Sequence, residues 1–178
     1  MTYLSEILHA KNTTHPIPYK EFEKWSKSPS LEDLGALFVL IFDKSFYEKI
    51  NPFLSIEDYQ GFLLPYFKRC IIENINGYEN TTDISTRYEA CWELLNWFNY
   101  LWKDQEKHGE QLLEIKKYIA DLYESNDAEI RVAIVNGILE HLFENKKIRK
   151  FFSDWKRNPM LHQAYEEACM FFDYRPKE

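Results

Sequence analysis

The sequence predicts an all-α protein, a single-domain bundle of about eight helices in antiparallel hairpins. Three observations carry that expectation. Apolar residues recur with a helical period over most of the chain. Glycines number only 5 in 178 residues, and alternating β-type runs are scarce. Serine, aspartate and asparagine stand repeatedly just before the apolar-periodic stretches, where helices need a side chain to satisfy their first free N–H groups.

In chain order, a short helix is expected near Tyr3 to His9. The proline-broken stretch Asn12 to Pro18 follows, then a brief helical turn from Tyr19 to Trp25. Residues 1–28 are accordingly expected as a mobile N-terminal arm on a domain spanning 1–178. Ser30-Leu31-Glu32-Asp33, after Pro29, reads as an N-cap with acids in the first turn, opening a helix to about Ile50, where Asn51-Pro52 stops it. Ser55-Ile56-Glu57-Asp58 repeats the signal for a helix to Asn74, with Pro65 expected to kink or split it and Asn76-Gly77 to close it.

From Ile84 to Gln105 the period is strong again. Ile84, Tyr88, Cys91, Leu95, Phe98 and Trp102 fall within one arc, read as core. A turn at His108-Gly109 leads into a helix over 110–124, and Ser125-Asn126-Asp127 caps the next. That next stretch, 128–143, is apolar around more than half its circumference. Ile130, Val132, Ile134, Val135, Ile138, Leu139, Leu142 and Phe143 sweep the broad arc, while Glu129, Asn136, Glu140 and Glu144 share the remainder. Such a helix is buried by neighbours and forms the centre of the core. Lys146 to Trp155 gives one more amphipathic piece, and Asn158-Pro159 supplies an N-cap and first-turn proline for a final helix to Phe172.

Aromatic residues make up 17% of the chain, and each buried ring removes a large apolar area from water. The net charge is −7, from 29 acidic and 22 basic side chains. Nucleic-acid binding needs clustered Lys and Arg and is disfavoured, whereas an acidic surface suits a basic partner. Cys70, Cys91 and Cys169 are odd in number, far apart and set in apolar patterns, so reduced, buried thiols and a cytoplasmic setting are expected. Neither an export signal nor a membrane-spanning run is read in the sequence.

Catalytic groupings are not evident. His9, His15, His108, His141 and His162 are scattered, and Glu140 and His141 are adjacent, pointing about 100° apart rather than toward one metal. None of the cysteines has a histidine within a turn, and no glycine-rich phosphate cradle appears. No catalytic residue, metal or cofactor is therefore expected. Arg87 and Arg131 interrupt apolar arcs: either each is bound internally to a carboxylate, or the two line a groove for a small anionic ligand, conceivably in an enzyme of unrecognised chemistry. Opposite the presumed core face of the 84–105 helix lie Glu93, Trp97, Tyr100 and Asp104, a mixture of rings and acids that suits a protein interface.

The segments 85–94 (Ser-Thr-Arg-Tyr-Glu-Ala-Cys-Trp-Glu-Leu), Asn96-Trp97-Phe98, Tyr100-Leu101-Trp102 and 135–144 (Val-Asn-Gly-Ile-Leu-Glu-His-Leu-Phe-Glu) together resemble a bacterial all-helical family. Phe151-Phe152-Ser153-Asp154-Trp155-Lys156, Pro159, Leu161 and Ala164-Tyr165-Glu166-Glu167-Ala168 extend the likeness, which covers 60–172. The family is similar to the immunity proteins of polymorphic toxin systems. That resemblance implies a small cytosolic, non-enzymatic protein that binds a toxin, here a basic toxin domain, and covers its active site or substrate path.

Overall fold

In the computed structural model, described for residues 2–75, 83–125 and 127–173, the chain is all-α. It divides into two compact units, Met1–Thr86 and Arg87–Glu178.

The first unit holds α1 (Leu4–Asn12), β1 (Ile17–Pro18), α2 (Tyr19–Ser26), α3 (Leu31–Ile41), α4 (Lys44–Tyr47), β2 (Ile50–Asn51) and α5 (Ile56–Glu73). Its hub is α3, against which α1, α2, α4 and α5 all pack. The sequence Leu-Glu-Asp-Leu-Gly-Ala-Leu-Phe-Val-Leu-Ile buries Leu31, Leu34, Leu37, Leu40 and Ile41. Ser30 caps α3 by accepting from the Asp33 N–H, and Ser55 and Asp58 form a reciprocal capping box on α5, both as the sequence indicates.

The stretch 2–28 carries side chains of this core: Ile7, Ala10, Ile17, Phe22 and Trp25 are all buried. The fully buried Asp33 carboxylate ties the stretch down, accepting from the Tyr3 backbone N–H at 2.8 Å and from the Ser28 hydroxyl at 2.6 Å. Where the sequence suggested an arm, the structure therefore has a packed layer.

The helix expected to reach Ile50 ends at Ile41 instead. Asp43 captures the Ser45 N–H at 2.7 Å and starts the separate turn α4, a local side-chain bond that competes with helix continuation. Ile17 and Pro18 then pair in parallel with Ile50 and Asn51, a two-residue ladder too short to register as a period-2 pattern. Helix α5 runs through Pro65 without splitting, because Pro65 and Gly61, whose carbonyl the proline ring leaves without its usual donor, both lie on the exposed side. It ends on Asn74 in the left-handed conformation, φ 44°. The expected stop at Asn76-Gly77 lies outside the described residues.

The second unit holds α6 (Arg87–Trp102), α7 (Gly109–Tyr123), a long helix from Ala128 to Phe143, α10 (Lys146–Phe151), a 3-10 turn (Ser153–Arg157) and α11 (Pro159–Asp173). The long helix comprises α8 (Ala128–Ile134), a π-helical stretch Val135–Leu139 and α9 (Glu140–Phe143). It starts on Asp127, whose side chain accepts from the Glu129 and Ile130 N–H groups. As expected, it is central: α6, α7, α10 and α11 all pack on it. Lys116 of α7, buried, donates to the Phe151 carbonyl at 2.8 Å and to Asp154, fastening the end of α10. Asn158 caps α11 through the Met160 and Leu161 N–H groups.

Candidate protein-interaction surface

The π-stretch explains how so apolar a helix can still have an outer face. At about 100° per residue the apolar positions of 128–143 wrap most of the way round. Widening one turn to i→i+5 bonding cuts the advance to roughly 80° per residue, so everything beyond Leu139 is wound back by about a quarter turn. Leu139, Leu142 and Phe143 then rejoin Ile130, Ile134 and Ile138 on the buried side. The same rewinding brings Val132, Asn136, Glu140 and Glu144 into one outward column. Val132, expected in the core arc, is 50% exposed for this reason.

Against the central helix packs α6. The buried residues of α6 are Arg87, Ala90, Cys91, Leu94, Leu95, Trp97, Phe98 and Leu101. Their arc is centred about 60° from the one read in the sequence, because α6 is covered from two directions, by α7 and by the central helix. Two assignments change as a result. Trp97, expected on a contact face, is 7% exposed and stacks on Tyr100 with ring centroids 5.4 Å apart. Tyr88, expected in the core, is 53% exposed, and Trp92 is 51% exposed one turn further on. Of the four residues first favoured, Tyr100 and Asp104 are exposed, Glu93 is half-buried with its carboxylate 3.5 Å from the Asn96 amide, and Trp97 is inside.

Tyr88 and Trp92 are the residues that the sequence reading missed. Centring the arc on the aliphatic positions Ala90, Leu94, Leu95 and Leu101 alone would have left both outside it, since rings occur on both sides of this helix.

The two helices meet closely. A Cβ on Gly137, within the π-stretch, would lie 2.9 Å from Cys91 Cβ and 3.7 Å from Tyr88 Cδ1. Glycine here lets the central helix approach α6. Further along, the His141 ring meets Trp92 edge-on at 5.4 Å, and its Nε2 is 3.2 Å from Glu140 Oε1. The resulting patch combines Tyr88, Trp92 and His141, with Glu140 beside the imidazole and Glu89 next to Tyr88 in the chain.

Arg87 and Arg131 are engaged internally. Arg87 Nη1 donates to Glu129 Oε2 at 2.8 Å. Arg131 Nε donates to the Tyr123 carbonyl at 3.0 Å, and its guanidinium lies 5.5 Å from the centre of the Tyr123 ring. Glu129 is 79% exposed and the Tyr123 partner is a backbone carbonyl, so neither contact is the internal carboxylate that the sequence offered as one alternative. Burial pushes the Cys91 thiol up to about 12 and the Cys70 thiol up to about 11, so neither is a thiolate at neutral pH. Among the described residues no group of three or more His, Cys, Asp or Glu is placed to hold a metal ion, and no helix is long and apolar enough to cross a membrane.

The fold and this surface together define an all-α protein with an aromatic patch rimmed by acids. Comparison with protein-family models, with curated proteins and with solved structures gives no match.

Proposed function

We propose that this chain is a non-enzymatic, cytoplasmic protein-binding protein of bacterial origin, an immunity protein that neutralises a cognate toxin by covering its active site or substrate path. The observation that supports this reading is the set of rings Tyr88, Trp92 and Tyr100, each about half exposed on one rigid helix among carboxylates. Tyr and Trp offer large contact area and lose few rotamers on binding, and a helix holds them ready in place. The mechanism is steric occlusion, which asks for shape and charge and for no bond-making group. The net charge of −7 steers a basic toxin domain toward the surface.

The test is co-expression with the product of the adjacent gene in a host whose growth that product arrests. Restored growth and a stoichiometric complex are expected. An innocuous neighbour with no complex would contradict the reading, as would substrate turnover abolished by changing one polar side chain of the chain.

A further inference from the structure

The seam between α6 and the π-stretch gathers features with one electrostatic sign. The faces of aromatic rings are electron-rich, and the indole is the strongest cation acceptor among them. Tyr88 and Trp92 present their rings side by side along α6, one turn apart. Two carboxylates flank them: Glu89, exposed and next to Tyr88 in the chain, and Glu140, whose Oε1 lies 3.2 Å from Nε2 of the His141 that meets Trp92. Nearby Arg87 has its charge taken by Glu129, and Arg131 is bound by the Tyr123 carbonyl. Asn136 stands outward from the π-stretch, and the His141 and Trp92 rings meet nearly at right angles.

We propose that this seam is the seat of an arginine side chain presented by a basic protein segment, its guanidinium stacked on Trp92 beside Tyr88 and hydrogen-bonded to the flanking carboxylates. The proposal rests on the protein-binding reading above and names the chemistry that its partner brings. A guanidinium fits better than an ammonium because it is flat, stacks on a ring, is weakly hydrated and donates in a fork matched to a carboxylate. A neutral apolar segment would cover the exposed Glu89 carboxylate without bringing a counter-charge, which is costly. The π-stretch is a working part of the site: its Gly137 lets the central helix close on Cys91 and Tyr88.

The test uses the full chain, 15N-labelled, titrated with octa-arginine, octa-lysine and octa-glutamate peptides at fixed ionic strength. The Trp92 indole resonance is assigned with Trp92→Phe. Octa-arginine is expected to shift that indole and the Tyr88 and Asn136 amides most. Octa-lysine should bind several-fold more weakly, and octa-glutamate should leave the spectrum unchanged. Trp92→Ala should weaken octa-arginine binding by about tenfold with the folded spectrum retained, since Trp92 is 51% exposed. Glu89→Gln with Glu140→Gln should weaken it while keeping the rings. Shifts spread evenly over the acidic surface, or unchanged affinity in Trp92→Ala, would overturn the proposal and leave diffuse charge attraction only. A Trp92→Ala, Tyr88→Ala chain that still binds its protein partner would remove this site and leave the protein-binding reading intact. Absence of any partner complex, with the peptide shifts centred on Trp92, would do the reverse.

Discussion

Asp58 does two jobs with one carboxylate: it accepts from the Ser55 backbone N–H at 2.8 Å, closing the capping box of α5, and it accepts from the Tyr19 hydroxyl. Burial disfavours its charge, but the Tyr19 and Ser55 hydrogen bonds outweigh that and leave its carboxyl below the usual range. Tyr19 responds in the opposite direction, its hydroxyl pushed up to about 12 by the same bond. Because the folded pKa of Asp58 is depressed, its contribution to stability is complete above the unfolded value near 4 and is lost as pH falls through the folded one. Chemical denaturation between pH 7 and pH 2 should therefore show a steeper loss for the native sequence than for Asp58→Asn. Parallel curves would contradict the assignment. The Tyr19 contribution runs the other way, present below about 10 and lost as pH rises through about 12. At this scale the caps were legible in the sequence, since a Ser followed three residues later by an acid is a local signal. The Asp58–Tyr19 bond spans 39 positions and was not legible.

At the scale of elements, the outcome turns on Gly137. Helix propensity favours alanine over glycine by about 1 kcal/mol, so Gly137→Ala would stabilise an isolated helix. In the folded unit its Cβ would sit 2.9 Å from Cys91 Cβ, with both residues buried, so the helices must part or the π-stretch must shift. Overpacking of this kind typically costs about 1–3 kcal/mol and outweighs the propensity gain. Thermal unfolding should show a lower melting temperature for Gly137→Ala, and a raised one would mean that the close approach is not maintained. The 128–143 helix was readable as the centre of its unit because its apolar content exceeded one face. The π-stretch inside it was not, because an α-period projection assigns every residue the same 100° and cannot show where a turn widens. That single irregularity drew Leu139 and Phe143 back among the buried residues and left Val132 outside their arc. On α6, cover from two neighbouring helices exchanged the expected positions of Tyr88 and Trp97. The end of α3 was missed for a different reason: Asp43 caps a new turn where the apolar run Phe46, Tyr47 and Ile50 still mimics a continuing helix.

For the whole molecule, composition carried the fold class and left the function to the surface. Few glycines, helical periodicity and repeated caps agree with one another, and such agreement across levels is what specifies a fold. The site was only partly readable, since it depends on which rings point outward, and that is decided by packing between helices far apart in sequence. The acidic balance does carry a consequence at this scale. If association with a basic partner is steered by the field of the molecule, the association rate should fall steeply with added salt while the dissociation rate changes little. Stopped-flow mixing at low and at near-physiological ionic strength measures both. A rate of association indifferent to salt would indicate an apolar docking with no part for the carboxylates.

On the proposed function, Tyr88 and Trp92, set beside the π-stretch, belong to the surface that meets the partner. The most direct measurement is growth of a toxin-expressing host complemented by the native chain, by Tyr88→Ala with Trp92→Ala, and by Leu113→Ala. The last residue is a 56%-exposed apolar side chain on α7 that serves as a control of the same kind. Protection by the native chain and the Leu113→Ala variant is expected, and loss of protection by the double variant at equal folded concentration. Full protection by the double variant would contradict that role for the two rings.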